Sequence, residues 1–272
     1  MNKIPVTVIV SVKNEALNLP SCLEKLMQFA QIIVVDSGST DGTQNIALSM
    51  GAEVIEFKWN GKFPKKRNWA LQNATLHHEW VLFLDADEFV TKAFVEEVAI
   101  KIQDPTYNGF TIQFQNYFMG KKLKYGYGFQ KSALFRKSKG AYEKVEEDMW
   151  SHLDMEVHEH PIIEGKVGVI HAKVVHKDFK DLDHYIAKHN AYSSWEAQRY
   201  LQLKQSKNYL LSLNQKIKYN LLNTGLLPIV YFLGAYVLKL GFLDGKEGFY
   251  LACYKSHYFF QIQTKVQLLK NK

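Results

Sequence analysis

The chain has 272 residues, 47% of them hydrophobic, with 34 Lys and Arg against 27 Asp and Glu, for a net charge of +7. That composition supports a folded core and excludes collagen-like, low-complexity and disordered classes. The two cysteines, Cys22 and Cys253, form neither a disulfide framework nor a CxxC site, which points to a reducing cytoplasm. The basic excess suits anionic partners such as nucleotides, acidic lipid surfaces or nucleic acid, and equally serves solubility alone.

The N-terminus opens into a strand pattern, Ile4 to Val12, with no basic and apolar leader, so no secretory signal is expected. Leu19, Leu23, Leu26 and Met27 recur at helical spacing and predict a helix over 17–29. Ile32 to Asp36 reads as a second strand, and Thr40 or Asp41 can cap a helix reaching about Met50. Glu53 to Phe57 reads as a third strand, Lys65 to Ala74 as a helix, and Trp80 to Asp85 as a fourth strand. Thr91 caps a helix to Ile102. This alternation with short connections predicts parallel βα units.

Beyond Gly109 the period changes. Phe110, Ile112 and Phe114 alternate with polar residues, as in a half-buried antiparallel strand, and 132–136 and 167–175 also read as extended. The sheet is therefore expected to be mixed. After Phe179 the chain turns helical, with a long amphipathic segment over 185–203, a basic polar stretch over 204–218, and a last helix over 247–269. Between them lies an apolar run, Leu226 to Leu238, that contains Pro228 and Gly234. It is too short to span a bilayer. With lysines before it and aromatic residues around it, it suits a helix lying in a membrane interface, an ordinary buried helix or an oligomer contact.

The chemistry concentrates at strand ends, where open α/β sheets bind ligands. The fourth strand stops abruptly in Asp85-Ala86-Asp87-Glu88. Carboxylates there can hold a hard cation that in turn holds a diphosphate, or they can cap the following helix. The first strand runs into Asn14 and Glu15, which suit a base or ribose contact or a plain turn. The second ends in Asp36-Ser37-Gly38-Ser39-Thr40-Asp41-Gly42-Thr43, whose leading acid can accept hydrogen bonds from a nucleotide. No GxGxxG is present, so a dinucleotide fold is a poor match. Arg67 can clamp a phosphate, whereas its neighbours Lys65 and Lys66 read as a solvated basic face.

These four motifs, in this order and at these spacings, resemble family 2 glycosyltransferases. The resemblance implies the GT-A fold: a Rossmann-like mixed sheet flanked by helices, here with a helical C-terminal extension. It places a nucleotide-sugar-binding and catalytic domain at 1–178. The extension at 179–272 becomes a membrane-surface or acceptor-binding region. It further implies nucleotide-sugar contacts from Val10, Asn14, Glu15, Asp36, Arg67 and Asp85. Mn²⁺ or Mg²⁺ would be held by Asp87 and Asp85, with a late histidine for which His176 matches better than His171. An inverting transfer needs a base for the acceptor hydroxyl. Glu159, in Glu156-Val157-His158-Glu159-His160, matches that base in one branch of the family, and Asp148 of the Glu147-Asp148 pair is the alternative. His158 and His160 could share a face, but no HExxH zinc motif exists.

The tail segments His176-Lys177-Asp178-Phe179, 185–190 and 241–249 resemble bacterial family 2 enzymes of lipopolysaccharide core synthesis, most closely the β-1,4-glucosyltransferase type. That implies a UDP-linked donor and a glycan or glycolipid acceptor. It also implies a cytoplasmic enzyme, peripheral on the inner face of the cytoplasmic membrane. Two other classes compete. A non-catalytic basic module on an anionic membrane or nucleic acid would bind no nucleotide, and no nucleic-acid motif is found. A nucleotidyltransferase would show a Gly-rich first loop, which this chain lacks.

Overall fold

Seven successive residues, Val6 to Val12, are buried on both faces of the first strand, as a strand inside a parallel sheet must be. This is a computed structural model that describes residues 3–144, 160–177, 181–205 and 213–271. The first part of the chain alternates as β1 (Ile4–Val12), α1 (Leu19–Leu26), β2 (Phe29–Asp36), α2 (Thr43–Ser49), β3 (Glu53–Glu56), α3 (Lys66–Asn73) and β4 (Trp80–Asp85). A two-residue strand β5 (Glu88–Phe89) and α4 (Lys92–Lys101) follow. Helix α1 is shorter than its periodicity predicts, because Leu17 is 95% exposed while Phe29 already pairs with Ile4 at the start of β2.

The second half supplies β6 (Tyr107–Phe118), β7 (Lys121–Lys122), β8 (Gln130–Arg136), β9 (Gly140–Tyr142), β10 (Pro161–Ile163) and β11 (Lys166–His176). The main sheet runs β3-β2-β1-β4-β8-β6-β11-β5, with β7 attached to β6. β1, β2, β3 and β4 are mutually parallel. β8 returns antiparallel against β4, and β6 against β8. The chain leaves β1 towards β2 and β3 on one side, then restarts at β4 on the other, so the strand order reverses between β1 and β4. Ligands of open α/β sheets bind at such a reversal, beyond the strands' C-terminal ends. One face of the sheet is covered by α1, α2 and α4 through Leu19, Leu23, Leu26, Ala47, Phe94 and Val98. The other packs Phe83, Phe135 and Tyr142 against the region of α3.

The chain divides into two compact units: Met1–Gln115 with Phe129–Lys177, and Asn116–Gly128 with Asp178–Lys272. The second contains the tip of β6, β7, α5 (Leu182–Gln205), α6 (Leu213–Thr224), α7 (Leu227–Phe232), a π-helical turn (Leu233–Leu238), a 3₁₀ turn (Gly241–Asp244) and α8 (Gly245–Lys270). Its own core joins Ala197, Tyr200, Leu222, Tyr258 and Ile262. The excursion between β6 and β8 therefore belongs with the C-terminal helices. Buried Asp244 secures it, accepting the backbone N–H of Lys124 at 3.0 Å and of Tyr125 at 2.9 Å. Lys121 adds a bond to the Asp244 carbonyl at 2.6 Å and an ion pair with Glu247 at 3.0 Å.

Candidate active site

The register aligns the strand ends that carry the polar motifs. Val12 of β1 lies opposite Asp36 of β2, and Ser11 lies opposite Asp85 of β4. The loop after β1 and the loop after β2 are tied together: Asn14 N–H donates to Ser39 Oγ at 2.8 Å, and Thr40 N–H donates to Asn14 Oδ1 at 2.8 Å. Glu15 N–H donates to Thr43 Oγ1 at 2.9 Å, and Ala16 N–H to Asp41 Oδ2 at 3.1 Å. Asn14 takes φ 56°, a left-handed conformation that asparagine tolerates better than most residues.

Asp36 is fully buried and organises this loop. Its Oδ2 accepts the N–H of Gly38 at 3.0 Å and of Ser39 at 2.9 Å and the Gln44 amide at 2.6 Å, and its Oδ1 accepts the Ser39 hydroxyl. Burial pushes the carboxyl pKa up, but the bonds from Gln44 and Ser39 and the backbone N–H groups outweigh it and hold it below the ordinary value. Val10 has no exposed surface and pairs on both sides, with Val34 and Leu84, so it supports the crevice from within the sheet.

The acidic turn after β4 is built from two differently engaged carboxylates. Asp85 faces cations: Arg67 Nη2 lies 3.2 Å from its Oδ1, and Lys131 Nζ 3.6 Å from its Oδ2. Arg67 also stacks on the Tyr142 ring, 5.3 Å from its centroid. Asp87 instead faces a histidine. Antiparallel pairing of β11 with β5 sets His176 opposite Glu88, and this brings His176 Nε2 to 3.8 Å from Asp87 Oδ2. Phe114 and Phe129 flank the imidazole, with ring centroids 5.8 and 5.6 Å away.

The family model for glycosyl transferase family 2 matches residues 7–150, more than half of the chain. The chain belongs to glycosyltransferase family 2. The glycosyltransferase is 27% identical over 277 residues to the lipopolysaccharide core biosynthesis glycosyltransferase LpsC of Rhizobium meliloti, covering 97% of this chain and 92% of the relative. An uncharacterized glycosyltransferase of Rickettsia prowazekii, RP128, is 26% identical over 251 residues, covering 87% of this chain and 78% of that protein. Among solved structures, the mannosyltransferase PcManGT of Pyrobaculum calidifontis superposes with a TM-score of 0.56 at 16% identity, over 97% of this chain and 87% of that one. The enzyme has the GT-A fold: a mixed sheet flanked by helices, ending in a long C-terminal helix.

The donor set of the glycosyltransferase fits a divalent cation shared with a ligand. Among the described residues no group of three or more His, Cys, Asp or Glu side chains converges. Ions that serve diphosphates commonly take only one or two protein groups, leaving the remaining positions to phosphate oxygens and water. Asp87 and His176, 3.8 Å apart, offer one oxygen and one nitrogen from two strand ends. Asp85 shares its charge with Arg67 and Lys131.

Sequence reasoning missed two groups here, Lys131 and Asn68, and read Glu88 only as one of three acids that hold a cation or cap a helix. Glu88 is only 1% exposed; both its oxygens lie 2.7 Å from Lys131 Nζ, and it accepts the Asp85 N–H at 3.0 Å. It is thus the buried strut of the acidic turn. Capping is done by Thr91, whose hydroxyl accepts Phe94 N–H at 3.2 Å, so the three carboxylates are not helix caps. Lys131 enters from β8, and nothing local in the sequence marks it. Asn68 is buried and exchanges two 2.9 Å hydrogen bonds with the Tyr142 backbone, fixing the ring on which Arg67 stacks. Lys65 and Lys66 are also buried, at 3% exposure each, which corrects the expectation of a solvated basic face.

The remaining site residues divide simply. His171 is exposed, and its N–H donates to the Glu97 carboxylate at 3.0 Å. Asp148 and Glu159, with His158, lie outside the described residues. The chain on either side of them is held together: Tyr142 pairs with Pro161 across β9 and β10, and Glu143 N–H donates to the His160 carbonyl at 3.2 Å. Buried Cys22 reports the field of the acidic turn. Burial pushes its thiol pKa far up, and the carboxylates Glu88, Asp87, Asp85 and Glu15 add to that. It is an inert thiol.

Proposed function

We propose that this glycosyltransferase is an inverting, metal-dependent enzyme that moves a sugar from a UDP-linked donor to a glycan or glycolipid acceptor. The acceptor would belong to lipopolysaccharide core or a related cell-surface glycan, made on the cytoplasmic side. The observation that carries the reading is the Asp87–His176 pair at the strand-order reversal, 3.8 Å apart and reached from opposite halves of the fold. Asp87 and His176 would hold Mn²⁺ or Mg²⁺, and Asp85 would border the donor beside them. Such a cation, when bound, neutralises charge on a departing diphosphate.

The chain's own groups do the rest. Arg67, restrained by Asp85 and by the Tyr142 face, presents a fixed cation to the phosphates. The loop organised by Asp36, laced to Asn14 and Glu15, borders the nucleoside. Glu159 takes the proton from the attacking acceptor hydroxyl, with Asp148 as the alternative base. The mannosyltransferase of similar fold was solved with GDP-Man and Mn²⁺, which supports the metal and the donor class without naming the sugar here.

The test is calorimetric titration of the purified protein with UDP, with and without Mn²⁺, for the wild type and for Asp87→Ala and His176→Ala. Wild-type binding should require the metal, and each substitution should weaken it at least tenfold. Metal-independent binding, or unchanged affinity in both variants, would overturn the assignment.

A further inference from the structure

Helix α7 and the π turn after it are apolar on every side, including the side exposed to water. Leu226, Ile229, Val230 and Leu233 recur at intervals of three and four, so they share one side of the helix. All four are exposed, by 43% to 59%, whereas Leu227, Pro228, Gly234 and Ala235 are buried. The same outward side continues through Val237 and Leu238, the latter 79% exposed.

The surface does not end with α7. Phe242 and Leu243 on the 3₁₀ turn and Phe249 and Tyr250 on α8 are exposed too. Ring contacts join these elements: Phe232 with Phe249 at 6.2 Å, Tyr236 with Phe242 at 6.3 Å, and Tyr236 with Phe249 at 5.5 Å. Ten large apolar side chains, each 41% to 79% exposed, thus lie on successive elements, where singly scattered ones are the rule on a monomer.

The charges bordering this surface are predominantly positive. Lys239 and Lys246 are exposed within it, and Lys122 and Lys124 lie on the excursion that Asp244 secures. The two carboxylates of the stretch are both engaged, Asp244 by backbone N–H groups and Glu247 by Lys121. No single helix among the described residues is long and apolar enough to cross a membrane, and α7 with its π turn is bent by 70° from the 3₁₀ turn and α8. A bent apolar surface with aromatic residues and a lysine border has the chemistry of a segment lying in a lipid interface.

We propose that α7, the two turns and the start of α8 form a monotopic docking surface for an anionic phospholipid bilayer. The acceptor's own lipid anchor then shares a plane with the enzyme. Docking needs neither the metal nor the donor, so it stands or falls apart from the reaction proposed above.

The test is sedimentation of the full chain with phosphatidylcholine–phosphatidylglycerol vesicles and with phosphatidylcholine vesicles, alongside light scattering without lipid. The wild type should be monomeric and should partition at least tenfold more strongly onto the anionic vesicles. Each lysine near such a surface contributes about a fivefold factor, so Lys239→Glu with Lys246→Glu should lower partitioning at least 25-fold. Leu233→Ser with Leu238→Ser should lower it at least tenfold while UDP binding and circular dichroism stay unchanged. A stable dimer that hides this surface, equal binding to both vesicle types, or full binding by both double variants would overturn the proposal. If the serine variant misfolds, the exposed lysine pair decides the question.

Discussion

Lys131→Met probes the strut beneath the acidic turn. Glu88 is 1% exposed, and Lys131 supplies its counter-charge at 2.7 Å from both oxygens. Removing the cation leaves a buried carboxylate with the Asp85 N–H at 3.0 Å. Breaking a buried pair from one side costs about 3–5 kcal/mol. The Lys131 side chain keeps 17% exposure, so water can reach the gap, and the low end, about 3 kcal/mol, is expected. For a unit of this size that lowers Tm by roughly 6–12 °C. Glu88→Gln with Lys131→Met removes both charges, while the carbonyl of the introduced amide can still accept the Asp85 N–H. That double variant should recover most of the loss, a coupling of about 2 kcal/mol. Urea unfolding followed by circular dichroism measures both single variants and the double. A Lys131→Met cost below about 1 kcal/mol, or a double variant equal to the sum of the singles, would refute the idea that Glu88 needs this partner.

Three further outcomes are expected. Asp36 has a folded pKa below its ordinary 3.8, so its stabilisation is full above that pH and is lost as pH falls through the folded value. The stability gap between wild type and Asp36→Asn, measured by denaturant titration, should be constant near neutrality and close below about pH 4; a gap that widened on acidification would contradict the sign. Gly248→Ala should destabilise α8 by about 2 kcal/mol or more, because the added Cβ would lie 2.1 Å from the Gly241 carbonyl oxygen, a clash that outweighs the gain of about 1 kcal/mol from helix propensity. A raised Tm in that variant would show the close approach to be wrong. Glu159→Gln should abolish sugar transfer and leave donor affinity within about twofold, as removal of a general base requires; undiminished turnover would move the role to Asp148.

Local sequence determined the first half of the fold because burial on two faces leaves a periodic signature that needs no partner to be legible. Trp80 to Asp85 ends as a strand where its apolar run ends, and Thr91 caps the next helix as its position predicts. The acidic turn and the loops after β1 and β2 were likewise visible, since polar residues at the ends of parallel strands have few places to go but the crevice. What the tertiary structure decided are the groups that arrive from far along the chain. Lys131 reaches Glu88 from 43 residues away, because β8 turns back antiparallel beside β4. His176 meets Asp87 only through the pairing of β11 with β5, and its strand pattern alone does not distinguish it from the exposed His171. Lys65 and Lys66 read as a solvated charge run yet lie buried, and the 116–128 excursion, inside the span 1–178 expected to form the catalytic domain, groups with the C-terminal helices. Periodicity reports which face of an element is covered; it carries no information about which distant residue covers it, and charge pairing across a sheet depends on that second fact.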